Sequence, residues 1–218
     1  NFEIDGIKGG LTFGKLDKKI AVQTPDSLKA TAPNWKVKLE TTSLKNIAFR
    51  FDDENAVRAK KGIDYKHLNL DNVELQGEKL YYSADTISGN IQSFSMNDHS
   101  GVAIESFRTD FFYGTKRATL KKLYLKTPQT EIKDEINITY DNIATIADNL
   151  GNLGIKASLK DSRVGFKDIL LFVPTLENTN PFKTNPNAVM YINSEVYGKV
   201  SDITIPNLEI SGIGTTVV

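Results

Sequence analysis

Two histidines, His67 and His99, are the only imidazoles in the 218 residues, and there is no cysteine. That inventory sets tight bounds on metal and nucleophile chemistry. A disulfide scaffold, a thiolate zinc site and a cysteine nucleophile are all excluded for these residues. Neither histidine belongs to a spacing of His, Asp or Glu that builds a zinc site. His67, in Tyr65-Lys66-His67-Leu68, and His99, in a turn, both read as exposed side chains. Asp52-Asp53-Glu54 could attract calcium, but it lacks the regular alternation of an EF-hand loop and reads as a solvated turn. Gly6-Ile7-Lys8-Gly9-Gly10 is followed by no helix, so it is no dinucleotide fingerprint. Acids are plentiful, and a carboxylate pair for glycoside hydrolysis is left open because spatial pairing is invisible in a sequence. Asn137-Ile138-Thr139 matches a glycosylation acceptor but falls inside a strand. No catalytic residue, metal ligand or cofactor is assigned, and the chain is expected not to be an enzyme.

The elements around these residues are strands. Glu135-Ile136-Asn137-Ile138-Thr139-Tyr140-Asp141 sends Ile136, Ile138 and Tyr140 to one side and Asn137 and Thr139 to the other. That period of two marks a strand with one apolar and one wet face. It returns at Trp35, Val37 and Leu39, at Ile47, Phe49 and Phe51, and at Phe107, Phe111 and Tyr113. Strands are expected near 2–5, 10–16, 19–24, 35–41, 45–52, 62–66, 68–76, 79–84, 86–97, 101–115, 118–127, 130–141, 155–173 and 188–217. Turn chemistry at Gly9-Gly10, Asp52-Asp53-Glu54-Asn55, Lys61-Gly62, Gln76-Gly77-Glu78, Asn97 to Gly101 and Tyr113-Gly114-Thr115 separates them.

Two short patterns recur. One is Asn or Asp, an aliphatic, any residue and another apolar, as in Asn46-Ile47-Ala48-Phe49, Asn72-Val73-Glu74-Leu75, Asp168-Ile169-Leu170-Leu171, Asp202-Ile203-Thr204-Ile205 and Asn207-Leu208-Glu209-Ile210. Lys122-Leu123-Tyr124-Leu125 is a variant. The other is an aliphatic pair about a glycine, Ile87-Ser88-Gly89-Asn90-Ile91 and Val196-Tyr197-Gly198-Lys199-Val200, where a bulge or bend is expected. Uneven spacing rules out a strict solenoid. Ile143, Ile146, Ala147 and Leu150 fall at helical spacing, so a short helix is expected near 143–150. The apolar run Asp168 to Val173 before Pro174 is a buried strand or a second short helix. Residues 175–187 have loop composition.

Charged residues make up 25% and apolar ones 39%, with Lys+Arg and Asp+Glu equal at 27 each. A nucleic-acid binder needs a basic surplus to displace counterions, so that class loses weight. Lys18-Lys19, Lys60-Lys61 and Lys121-Lys122 read as solvated faces and turns. No apolar run approaches the ~18–20 residues of a membrane-crossing helix. No signal peptide is present, and the chain, opening on Asn1, reads as one β-segment, 1–218, excised from something longer.

The run Gly62-Ile63-Asp64-Tyr65 to Leu68-Asn69-Leu70-Asp71-Asn72-Val73-Glu74-Leu75, then Tyr82 to Ile91, Ser100-Gly101, Leu123-Tyr124-Leu125-Lys126-Thr127 and Phe172-Val173-Pro174, resembles the TamB proteins of the AsmA-like group. The likeness spans about Leu44 to Ile210, on aliphatics, glycines and Asn/Asp at loose spacing. It implies an all-β, elongated and mostly antiparallel sheet curved into a U-shaped groove with an apolar concave face. It further implies a periplasmic location, with the full-length protein anchored in the inner membrane of a diderm bacterium. The activity implied is movement of phospholipid towards the outer membrane and assembly of outer-membrane proteins. The partners would be phospholipid acyl chains, adjoining segments of the same long chain and, through regions with no counterpart here, an Omp85-class protein.

Such a groove needs breadth and continuity more than polar specificity. The side chains expected on its inner face are Val37, Leu39, Phe49, Phe51, Leu70, Ile91, Phe94, Met96, Phe107, Phe111, Leu123, Leu125, Ile136, Ile138 and Tyr140. Met96 and the phenylalanines would adapt to varied chains. In an adhesin-like or structural β-sandwich the same residues would pack against a facing sheet, and periodicity alone does not choose between the two. A carbohydrate-active β-protein is a third reading.

Overall fold

The computed structural model describes residues 2–15, 35–141, 150–206 and 210–211. Twelve strands form one mostly antiparallel sheet. β1 (Phe2–Asp5) and β2 (Lys8–Phe13) lie one after the other along β3 (Val37–Asp53), both parallel to it. An antiparallel meander follows: β4 (His67–Tyr82), β5 (Thr86–Asp98), β6 (Ala103–Gly114), β7 (Arg117–Lys126), β8 (Glu131–Thr139), β9 (Gly154–Gly165) and β10 (Val189–Lys199). β11 (Asp202–Thr204) and β12 (Ile210–Ser211) pair with the far edge of β10. A helix, α1 (Phe166–Phe172), and a 3-10 turn (Pro174–Asn178) fill the connection between β9 and β10.

The long strands are bent. Asn46, Asn72, Lys79, Lys122, Asp134 and Asp161 have φ between 49° and 95°, and each stands at a shift of register. One extra left-handed residue lets Leu44 and Ile47, or Leu120 and Leu123, share a face although they are three apart. Without it, a one-residue slip would turn every later side chain over. Such bulges bend the strand and increase its twist, and the sheet is accordingly curved. Asn and Asp tolerate the left-handed region best after glycine. The recurrent motif is therefore a bulge signal at Asn46 and Asn72, with Lys122 as its costlier variant.

Several expected boundaries are corrected. Residues 35–41 and 45–52 are halves of one seventeen-residue strand, β3. Gln76-Gly77-Glu78 is no turn, because β4 runs through it, with shifts of register against β5 between Gln76 and Gly77 and again at Lys79. Residues 62–66 are loop, tied down by Asp64, which accepts the Ala59 and Lys66 amides. The strand begun at 155 ends at Gly165, where a side chain would collide with Gln129, 2.3 Å from its Cβ position. The chain then turns into α1, so the Asp168 run is mostly helix. The strand expected at 19–24, the Asn207 motif and the helix expected near 143–150 lie outside the described residues, except for Ile210, which opens β12, and Leu150, which opens a 3-10 turn, Leu150–Asn152.

Candidate functional site

Register places the apolar side chains in rows on one face. Val37, Tyr82, Ile87, Tyr113, Ala118, Ile138 and Ile155 are successive cross-strand partners from β3 to β9. Leu44, Leu75, Phe94, Phe107, Leu125 and Ile132 make a second row from β3 to β8. Phe111, Leu120, Ile136, Ala157 and Val196 make a third, from β6 to β10. Gly89 heads that third row and leaves room for Leu80, whose Cδ2 lies 2.5 Å from where a Cβ would stand. The opposite face is polar, with partners Ser88, Phe112, Thr119, Asn137 and Lys156 in one row. Lys122–Asp110, Lys126–Glu105 and Lys133–Glu131 ion pairs and Arg108 over the Tyr124 ring belong to it.

Of the residues expected on the inner face, Val37, Leu39, Phe49, Phe51, Leu70, Ile91, Phe94, Met96, Phe107, Phe111, Leu125, Ile136 and Ile138 share the apolar face and are half-buried or exposed. Two are corrected as open lining. Leu123 is on the same face but buried. Tyr140 is buried at the strand end, where its hydroxyl donates to the Gly114 carbonyl and its ring meets Tyr113. Burial pushes that hydroxyl above its ordinary 10.0. Among the described residues the only buried apolar side chains are Val102, Leu123, Tyr140, Ala157 and Phe166. Among the described residues no second layer covers the face as a whole: Phe49, Ile87 and Tyr113 are 37%, 39% and 38% exposed. The rows also bring in Leu44, Leu75, Leu80, Leu120 and Ile155, which alternation missed because bulges interrupt it.

The two margins, formed by the strand ends, differ. At one, α1 lies over the β7–β8 turn and reaches the β3–β4 loop. Asp168 accepts the Thr127 and Thr130 hydroxyls at 2.6 Å each, and Thr130 accepts the Gly165 amide. Phe166 is fully buried against Phe182, 4.5 Å between ring centres. The Ile63 amide donates to the Leu171 carbonyl, and Lys61 pairs with Glu177. An apolar recess of about 420 Å³ remains between Leu170, Leu171, Pro174 and Gly62. The other margin is formed by the β4–β5, β6–β7, β8–β9 and β10–β11 connections, and there the Gly151 carbonyl of the 3-10 turn accepts the Ser201 amide and hydroxyl.

The histidines separate. His99 is exposed beside Asp71, as expected. His67 is not: its side chain is 4% exposed, with Nδ1 2.8 Å from Asp64 and Nε2 3.0 Å from the Asp53 carbonyl. Nor is Asp52 in a solvated turn. It is buried and accepts from Arg50 and Arg58 at 2.9 and 2.7 Å. Together they staple the β3–β4 loop. No group of described His, Asp and Glu residues could hold a metal ion. No described helix is long and apolar enough to cross a membrane.

Among the described residues, fold and face define a class: one curved, mostly antiparallel sheet with a continuous apolar face. No family model, curated protein or solved structure matches the chain.

Proposed function

We propose that this sheet is a hydrocarbon trough: a non-enzymatic lipid-transfer segment, of the TamB and AsmA-like kind, that holds phospholipid acyl chains in the periplasm on their way to the outer membrane. The observation that carries this reading is the apolar face running from β3 to β10, over most of which the described residues place no facing layer. With that face inside the bend, a tail of ~16 carbons is spared about 13 kcal/mol of exposure to water, at ~0.8 kcal/mol per methylene. A tail sliding along such a surface exchanges one apolar surrounding for another. The resemblance of Leu44 to Ile210 adds the compartment and direction. A β-sandwich interaction module is the alternative, and the exposure of Phe49, Ile87 and Tyr113 weighs against it, because a facing sheet would cover them.

The test is native mass spectrometry after incubation with liposomes. Bound lipid is expected with the unaltered chain, less with Leu125→Asp or Ile138→Asp, and no change with Thr139→Asp on the polar face. An unaltered chain that takes up no lipid sinks the reading.

A further inference from the structure

We propose that the outer edge of β1 and β2 pairs with the same edge of a second copy of this chain about a two-fold axis, joining two sheets into one. This rests on the sheet itself and is independent of what the apolar face carries. Parallel pairing with β3 uses only one side of β1 and β2. The Gly6 amide donates to the Lys45 carbonyl, and the Ile7 and Phe13 carbonyls accept the Ala48 and Glu54 amides. Backbone direction alternates along a strand, so Phe2 and Ile4, then Gly9 and Leu11, also turn toward β3. Glu3, Asp5, Lys8, Gly10 and Thr12 turn their N–H and C=O groups outward, and among the described residues no strand pairs with them. β2 is exposed at every position and β1 at all but Ile4. A free edge of this kind is a template for another strand.

Gly6 selects which strand fits. Its φ of 70° marks a bulge, so outward residues are odd-numbered before it and even-numbered after it. A hydrogen-bonded antiparallel pair needs two outward residues facing each other. For two identical edges, one register meets that need along both strands, with the axis between Gly6 and Ile7. Asp5 then faces Lys8 and Glu3 faces Gly10, on both sides of the axis. Shifting by one or two residues sets outward groups against inward ones. The same register satisfies demands that played no part in choosing it. Lys8, which has no carboxylate partner among the described residues, gains Asp5 of the second copy. Phe2 and Leu11, 43% and 50% exposed in the single chain, come side by side. Ile4 lies beside Gly9, where nothing stands within 4 Å of a Cβ position. The apolar face continues across the axis, because Phe2 and Ile4 partner Thr42 and Leu44, while Gly9 and Leu11 partner Phe49 and Phe51. At the far edge, β11 and β12 already cover parts of β10. Pairing unlike edges would build an open fibre, whereas like edges close into a dimer.

Sedimentation equilibrium of the full chain is the test. The unaltered chain is expected to pass from monomer to dimer as concentration rises. Lys8→Asp sets acid against Asp5 on both sides of the axis and should weaken the dimer on the order of tenfold. Asp5→Lys combined with Lys8→Asp exchanges the charges and should restore it, which also shows that the altered edge folds. Glu195→Lys, on β10 at the far edge, should leave the dimer unchanged. The chain has no cysteine of its own. Oxidising the variant Ile4→Cys, Gly9→Cys should therefore link copies in pairs, since these positions stand too far apart along one extended strand to meet within a copy. A chain that stays monomeric overturns the proposal. So does a dimer indifferent to Lys8→Asp, one not restored by the charge exchange, one lost with Glu195→Lys, one that does not cross-link, or growth beyond a dimer.

Discussion

The Asp168 carboxylate accepts the Thr130 hydroxyl at 2.6 Å, and the same hydroxyl accepts the Gly165 amide at 3.1 Å. A residue of α1 and one of the β7–β8 turn, 38 positions apart, thus lock the helix over the sheet margin. Asp168→Ala leaves the buried Thr127 and Thr130 hydroxyls without their shared acceptor. A loss of about 1–3 kcal/mol in urea unfolding is expected. An unchanged midpoint would show that the helix is held by Phe166 alone.

Bulge residues give a second expectation. Asn72 has φ 51°, a conformation a β-branched residue strongly resists. Asn72→Val should destabilise by roughly 1–2 kcal/mol, and Asn72→Gly should be nearly neutral. The same pair at Thr139, an ordinary strand position, should reverse in order, since valine suits a strand and glycine weakens it. Chemical denaturation of the four variants checks both orders.

His67 is the third. Its ring bridges Asp64 and the Asp53 carbonyl, closing the β3–β4 loop. His67→Ala should cost about 1–3 kcal/mol through the groups left unpaired, and hydrogen exchange should quicken at the Ala59 and Lys66 amides, which Asp64 holds. His99→Ala, exposed, should change neither.

What the sequence conveys is the period of two, because side-chain direction in a strand is local. Thirteen of the fifteen residues expected on the inner face therefore share one face of the sheet, half-buried or exposed, and the Asp168 run ends before Pro174 with helix among its stated alternatives. What it hides depends on distant partners. Gly77 resembles a turn residue, yet it sits buried within β4 opposite Ile91. His67 resembles a surface residue until Asp64 and Asp53 close around it. Tyr140 carries the right parity, but the Gly114 carbonyl captures its hydroxyl and takes it out of the open face. The bulge motif was visible as a pattern, and only register discloses that it bends strands.

Stability should also depend on pH, with a sign fixed by the carboxylates. The Lys122 ammonium and then the Asn90 amide hold Asp110 below its ordinary 3.8. Hydrogen bonds from Asn55 do the same for Asp53, and Lys133 lowers Glu131 from 4.5. For Asp64, burial opposes the shift, but the Ala59 amide and His67 outweigh it. A carboxylate lowered in the folded state contributes stability above its unfolded value and loses it as pH falls through the folded one. Lys45 and Lys126, raised above 10.5 by Glu3 and Glu105, act at the other extreme: their contribution holds below 10.5 and is lost as pH rises through the folded value. The melting temperature should therefore be level near neutrality and fall below about pH 4. Because these groups are largely exposed, the acid fall should be shallow and flatten further in strong salt. Asp110→Asn removes one contributor and should lessen the fall between pH 5 and pH 3, relative to the unaltered chain, by thermal denaturation. A steeper acid fall in that variant would contradict the assigned sign.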